Sequence, residues 1–480
     1  MALVGIDLGT SSVKVIILDE QGGMLGMGKT DYTVLSPHRG WVESDPEVWW
    51  QSTVTAVHNA LVAAKHPTIT AVGLSGQMHG VVLTDEQGKA LRPALLWADM
   101  RAEAVLSHYQ SLSAAAKKRL ANPLVPGMAG PLLCWLAQYE KASYQSARWA
   151  LQPKDWLRMR MTGIPATDPS DASATLLYDL PGDHWAEDVI ASLNLKRSLF
   201  PDIMASSAKA GLLSTKAAAE LGLPAAIPVA TGAADTAAAA LGTGLLAPGT
   251  LQLTLGTGAQ IIQLCAQPLS DETTRTHLYR AADGKNWYNM AAIQNAGLVL
   301  DWVRQTFNAS WDEIFASANS VEPGSTGLIF LPEFTKERAN QLADHQGGAF
   351  LHLRIHHRRE ELFYASLEGV AFGIRLALES LPAAQQASSL RLAGGGSVHP
   401  AWQQMLADIL GRTLELVNTS EASARGAALL AGIINHSWPD IQATQQIAPG
   451  IQAYITPDSQ RASLYQNIYQ HFLQQARMSF

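Results

Sequence analysis

GIDLGTSSVKVIIL, residues 5–18, has a partner in QLTLGTGAQIIQL, residues 252–264. Leu8-Gly9-Thr10-Ser11 aligns with Leu255-Gly256-Thr257-Gly258, and apolar runs flank both turns. An apolar run on either side of a glycine turn reads as a strand-turn-strand hairpin. Two such hairpins, about half the chain apart, predict a fold of two similar halves. Only the first carries an acid: Asp7, near the end of its first strand. A carboxylate beside a Gly-Thr-Ser turn ordinarily serves the turn itself, accepting from its N–H and hydroxyl groups. Whether Asp7 does more depends on the rest of the chain.

The 480 residues are 47% hydrophobic, enough for a large core and two or more domains. A net charge of -7 argues against nucleic acid and against an anionic membrane as partners. Two cysteines, Cys134 and Cys265, are too few for a disulfide framework or a zinc cluster. Their apolar neighbours predict buried thiols in a reducing compartment. No signal peptide is visible, since the opening residues already read as a strand with Asp7 and Lys14 in it. From Thr236 to Ser270 there is no charged residue, but Gly242, Gly244, Pro248, Gly249, Gly256 and Gly258 interrupt the stretch. It predicts a buried helix followed by two strands, not a membrane span. A cytoplasmic protein is expected.

Helices and strands alternate between the hairpins and after them. Asp45-Pro46 begins a helix as cap and first-turn residue, with Trp50, Val54, Val57 and Leu61 at helical spacing. Ile69–Leu74, Val81–Thr84 and Ile227–Thr231 read as strands, as does Leu390–Ala393. Glu361–Leu381 and Ala401–Leu410 read as helices. The alternation predicts an α/β fold. A boundary between Gly242 and Gly249 divides it into domains 1–243 and 244–480.

Four features can carry chemistry. Both hairpin turns present backbone N–H groups and hydroxyls (Gly9, Thr10 and Ser11; Gly256 and Thr257), a nest for phosphate with glycine allowing close approach. No G-x-x-x-x-G-K-[ST] loop occurs. Two facing turns would hold different phosphates of one nucleotide, with Asp7 on a metal between them. Gly394-Gly395-Gly396, after the strand at Leu390, is either a flexible link or a flat wall for a planar base. Asp235, the only charged residue between Glu220 and Asp271, is either a helix cap or a base that deprotonates a hydroxyl. In the Ser75-Gly76-Gln77-Met78-His79-Gly80 turn, Gln77 and His79 suit sugar hydroxyls and Met78 suits sugar carbons, though a His in such a turn is often structural.

These stretches together resemble the FGGY carbohydrate kinases, of the actin, hexokinase and heat-shock ATPase superfamily. The likeness runs through GIDLGTSSVKVI, SGQMHG (75–80), PALLWADMR (93–101), PKDWLRMRMTG (153–163) and DPSDAS (168–173). It continues through TGAAD (231–235), LGTG (255–258), LEGVAFG (367–373), AGGGS and ARGAA (424–428). The resemblance implies two RNase H-like domains with ATP and sugar in the cleft between them. It also implies transfer of the ATP γ-phosphoryl to a ketopentose hydroxyl, O5 of D-xylulose, with another ketose, a deoxyketose or a polyol as the alternative acceptor. Asp235 is then the base and Asp7 the magnesium-phosphate residue, with Gln77, Met78, His79, Trp97 and Asp99 at the sugar. The expected partners are the sugar and ATP with Mg²⁺, and a homodimer is possible. A nucleotide switch of the actin type needs neither the QMHG turn nor Asp235. Because all these sugar residues precede Gly242, sugar is expected to bind through the first half alone.

Several positions depart from the family pattern. Ala233-Ala234 and Thr236 flank Asp235 where glycines and asparagine are usual, and Leu132 replaces a common lysine. Ala98 precedes Asp99 in place of Asn or Gln, and His352 stands where glycine is common. Glu337-Arg338-Ala339-Asn340-Gln341 replaces Glu-Arg-Thr-Pro-His. The acids are kept, and the changes gather around the cleft, where the sugar is chosen.

Overall fold

The computed structural model describes residues 1–270, 275–335, 347–417, 419 and 421–478. The 337–341 stretch lies outside the described residues. Two seven-stranded sheets organise the chain. The first contains β1 (Ala2–Leu8), β2 (Ser12–Asp19), β3 (Met24–Asp31), β4 (Ile69–Gly76), β5 (Lys209–Leu212), β6 (Pro228–Ala230) and β7 (Ala233–Ala234). The second contains β8 (Leu251–Leu255), β9 (Ala259–Cys265), β10 (His277–Arg280), β11 (Trp287–Ile293), β12 (Ser389–Ala393), β13 (Thr413–Val417) and β14 (Ile451–Ile455).

The strand orders are β5-β6-β4-β1-β2-β3, with β7 beside β4, and β14-β13-β12-β8-β9-β11-β10. Read side by side they match for six positions, and so does the direction of every pairing. An antiparallel pair at one edge leads to two parallel pairs and then to antiparallel hairpins. The two LGT turns occupy equivalent places, after β1 and after β8. The duplication in the sequence is therefore a duplication of topology.

Strand alternation decides what each half shows to the other. In β1, Ala2, Val4, Ile6 and Leu8 pack with Trp49, Trp50 and Val57 of helix α1 (Pro46–Ala63). Asp45 caps that helix, accepting from the Glu47 N–H at 3.0 Å. Leu3, Gly5 and Asp7 face the other way. Helix α9 (Ala422–Ile434) lies against that face, while α4 (Asp235–Gly242) packs on α9. Between α1 and α9 the chain also forms helices α2 (Pro153–Thr162), α3 (Pro169–Ala172), α5 (Gly297–Thr306), α6 (Trp311–Ser320), α7 (Arg359–Glu379) and α8 (Pro400–Leu410). The approach is backbone to backbone: a Cβ on Gly5 would stand 2.0 Å from Ala424 O, and one on Gly73 1.8 Å from Ala427 O. Although α9 follows every strand of the second sheet but β14 in sequence, it is built into the first half.

Both cysteines are buried free thiols. Leu132 is fully buried in the apolar core, where a lysine ammonium would lack water. His352 has φ 63°, in the left-handed region that favours glycine. Residues 352–356 are exposed ahead of α7. Among the described residues, no helix is long and apolar enough to cross a membrane.

Candidate active site

Asp7 does not serve its turn. The first turn closes without it, through the Gly9 N–H to Ser12 O at 3.0 Å. Gly9 O accepts from the Tyr32 hydroxyl and, at 3.3 Å, from Gln77 Nε2. The Thr10 hydroxyl accepts from Trp97 Nε1 at 2.9 Å. Asp7 instead lies on the cleft face, opposite Lys14 in the hairpin, and accepts from the Ser75 hydroxyl at 3.2 Å. Burial raises its carboxyl to about 7, and the nearby Asp235 adds to that against the pull of Lys14 and Ser75. Lys14 itself is paired with Glu421 at 2.7 Å.

Asp235 opens α4 from its first helical position; Ala234 occupies the cap. Its Oδ1 accepts from the Thr236 N–H at 2.6 Å and from the Thr236 hydroxyl at 3.1 Å. Burial raises the carboxyl to about 6, and these two donors hold it below what burial alone would give. Thr236, where the resembled family has asparagine, thus keeps a donor on the acid.

The Gln77-Met78-His79 turn is fixed at both ends. The Gln77 N–H bonds Leu8 O at 2.8 Å, tying the turn to the end of β1. His79, at φ 71°, donates its N–H to Gln152 Oε1 at 2.9 Å. Its Nδ1 lies 2.7 Å from Ala174 O; a carbonyl only accepts, so the proton sits on Nδ1. Among the described residues no donor meets the buried Gln77 Oε1, an orphan a ligand hydroxyl can satisfy. Asp99 is placed differently from the expectation. It is fully buried and accepts from the Val42 N–H (2.6 Å) and from the Arg101 N–H (2.9 Å), Nε (2.9 Å) and Nη2 (2.8 Å). Both oxygens are committed, so Asp99 supports the loop that carries Trp97.

The second half supplies the nucleotide-sized space. A cavity of about 610 Å³ is lined by Gly256, Thr257, Gly395, Gly396, Trp311, Phe315 and His399. Trp311 and Phe315 stack at 5.6 Å, and Phe315 and His399 at 5.0 Å. A Cβ on Gly395 would meet nothing within 4 Å, so its absence leaves open wall rather than relieving a clash. Gly394 is different: at φ 96°, a Cβ there would stand 2.2 Å from Leu255 O. A second cavity of about 760 Å³ runs from Asp7 and Lys14 past Gln252, Thr254 and Gly394 to Glu421, and shares Gly395 with the first. The two cavities adjoin at Gly395, so the aromatic-lined space borders the one that reaches Asp7.

Sequence reasoning missed β10. Its backbone is bonded to the first half through Asn122, whose Nδ2 donates to Leu278 O (2.8 Å) and whose Oδ1 accepts from the Leu278 N–H (2.9 Å). The Arg280 N–H donates to the Ser173 hydroxyl at 3.0 Å. Tyr279 comes to 6.0 Å from the His79 ring, centroid to centroid, and its hydroxyl lies 2.7 Å from His277 Nδ1. The sugar turn is therefore flanked by residues of both halves, although every sugar residue expected from the sequence precedes Gly242. As a short strand, His277–Arg280 carries no local signal of that docking.

Comparison with known proteins agrees with this fold. The FGGY family of carbohydrate kinases matches in both parts, its N-terminal domain over residues 2–242 and its C-terminal domain over 251–434. The xylulose kinase of Escherichia coli (strain K12) is 33% identical over 466 residues, 96% of each chain. A xylulose kinase from Brucella ovis is 31% identical, with a TM-score of 0.91 over 98% of both chains. A gluconate kinase from Lactobacillus acidophilus, 22% identical, has the same fold at a TM-score of 0.91 over 99% of this chain and 98% of that one. With the paired hairpins, the two-sheet duplication and these matches together, the chain belongs to the FGGY family of carbohydrate kinases and is a sugar kinase.

Proposed function

We propose that the protein transfers the γ-phosphoryl of ATP to O5 of D-xylulose, giving D-xylulose 5-phosphate, in the cytoplasm. The observation that carries this is the half-buried Asp235, raised to about 6, beside Asp7, whose Ser75 partner stands just before the Gln77–His79 turn. A base with that affinity is ionised at neutral pH and still takes a proton as the hydroxyl attacks. Residues 1–243 would provide the base, the sugar turn and the Gly9–Ser11 phosphate turn. Residues 244–480 would provide Gly256 and Thr257 for phosphate and the Gly394–Gly396 wall for adenosine. Gln77 Oε1 and His79 orient the sugar hydroxyls, and Met78 packs on its carbons.

Among the described residues, no group of three or more His, Cys, Asp or Glu could hold a metal by itself. Mg²⁺ is commonly held by one or two carboxylates with substrate phosphates, and Asp7, half-buried with one hydroxyl donor, suits that share. When bound, Mg²⁺ would neutralise charge on the transferring phosphoryl group. The chain's own part is to align two substrates and exclude water, which is worth about 7–11 kcal/mol where reacting groups are well oriented.

Two experiments bear on this reading. In an ADP-release assay across xylulose, ribulose, fructose, ribitol and glycerol, D-xylulose gives the highest kcat/KM. A tenfold preference for another sugar removes the substrate assignment. Gly395→Val leaves thermal stability unchanged, because its side chain enters open space, yet raises the KM for ATP about tenfold or more with the KM for sugar unchanged. Unaltered ATP kinetics would place the nucleotide elsewhere.

A further inference from the structure

The cleft itself does not account for PKDWLRMRMTG and DPSDAS. They form α2 and α3, and their charged side chains meet in a buried cluster behind the sugar turn and the Asp235 loop. Lys154 Nζ stands 2.6 Å from Asp155, 3.0 Å from Asp168 and 3.2 Å from Asp171. Lys154, Asp155, Arg158, Asp168 and Asp171 have no exposure to solvent. The lysine stem is lodged between two glycines: a Cβ on Gly76 would come 3.1 Å from Lys154 Cβ, and one on Gly232 3.2 Å from Lys154 Cδ. Gly76 precedes the sugar turn and Gly232 precedes the base. Three carboxylates face two cations, and burial holds the Asp171 carboxyl well above its usual range against Lys154. Such clusters add little stability over an apolar core of the same volume, so stability gives weak reason for this one.

Its hydrogen bonds give a better reason. The Ser170 hydroxyl donates to Asp168 Oδ2 at 2.5 Å and accepts from the Ala234 N–H at 2.9 Å, one residue before Asp235. Arg158 Nη1 bonds both Asp155 Oδ1 (2.8 Å) and Thr231 O (2.7 Å). Gln152 accepts from the His79 N–H at 2.9 Å and donates to Asp171 O at 2.6 Å. Two loops from different strands are thus gripped from behind by one rigid body.

We propose that the Lys154-centred cluster is a positioning frame, in which Ser170 sets the place of Asp235 through the Ala234 amide and Gln152 sets the sugar turn through the His79 amide. The inference rests on the reading of Asp235 as the base. A misplacement of about 1 Å at a reacting group costs on the order of a hundredfold in rate, so loss of one such link is readable.

The two links leave different kinetic signatures. Ser170→Ala lowers kcat about tenfold or more and leaves the KM for sugar within about twofold, and Ser170→Thr, which keeps the hydroxyl, recovers most of it. Gln152→Met raises the KM for sugar more than it lowers kcat. Ser206→Ala is the control: it removes a donor from the same Asp168 oxygen, at 2.8 Å, without touching Ala234, and keeps kcat within about twofold. All are assayed as the full chain, beside Asp235→Asn and thermal melting. Equal kcat for Ser170→Ala and wild type, or equal losses in Ser170→Ala and Ser206→Ala, overturns the frame. If Ser170→Ala does not fold, a kcat loss at unchanged KM in Gln152→Met overturns it instead. Near wild-type turnover in Asp235→Asn overturns the base reading itself, whereas its collapse beside an active Ser170→Ala overturns the frame alone.

Discussion

Asp235→Asn lowers kcat about 10²–10⁴-fold, the usual share of a general base, and leaves the KM for sugar and ATP within a few-fold. The substitution keeps shape and keeps an oxygen for the Thr236 N–H and hydroxyl, so the start of α4 has no reason to move. What it removes is the lone pair that receives the proton. The same assignment fixes a pH profile. The carboxyl acts as a base only when ionised, so wild-type kcat/KM falls about tenfold per pH unit below about 6, where burial places this acid. Thr236→Val takes away the hydroxyl donor that favours the charged form, so the acid limb moves to higher pH. Steady-state ADP release from pH 5 to 8 reads all three. Turnover near wild type in the Asn variant, or an acid limb unmoved by Thr236→Val, would detach Asp235 from the proton.

Gly73→Ala unfolds the protein or lowers its melting temperature by about 10 °C or more. The added carbon would stand 1.8 Å from Ala427 O and 2.7 Å from Ala427 C, and both are backbone atoms in a buried face. A side chain can swing aside, but a helix held along several turns cannot. The cost therefore exceeds the 1–3 kcal/mol of ordinary overpacking. Gly450→Ala is the matched control, since its Cβ meets nothing within 4 Å, and it melts with wild type. Scanning calorimetry decides between them; a Gly73→Ala melt within a degree or two of the control would mean that α9 can lift off β1 and β4.

The hairpins were legible because their signal is local: alternating apolar residues, a glycine turn, and the same pattern twice. Alternation also fixes which face Asp7 takes, once Ala2, Val4, Ile6 and Leu8 are known to be the core side. Asp99 shows where such reading stops. In sequence it is an acid beside a tryptophan in a family motif; in the fold Arg101, two residues on, occupies both of its oxygens. The Lys154 cluster was visible only as two unexplained motifs, since its members meet across loops and no periodicity announces them. The docking of β10 on Asn122, 156 residues away, is long-range in the same sense. Local pattern yields elements and turns, and the partners of buried polar groups come from topology.

The placement of α9 bears on how the protein is made. The first sheet is complete in sequence at Ala234, yet the helix that covers its cleft face begins at Ala422. On the ribosome, the face carrying Leu3, Gly5 and Asp7 stays bare while the whole second sheet except β14 is translated. The half that is synthesised first is completed only after most of the second half has been made. Chains of this size commonly fold domain by domain as they emerge, but here the first half has no helix for its cleft face until α9 has been made. A nascent chain halted before residue 422 lacks more than its C-terminal helices: it also lacks the backing of a strand laid down some 400 residues earlier.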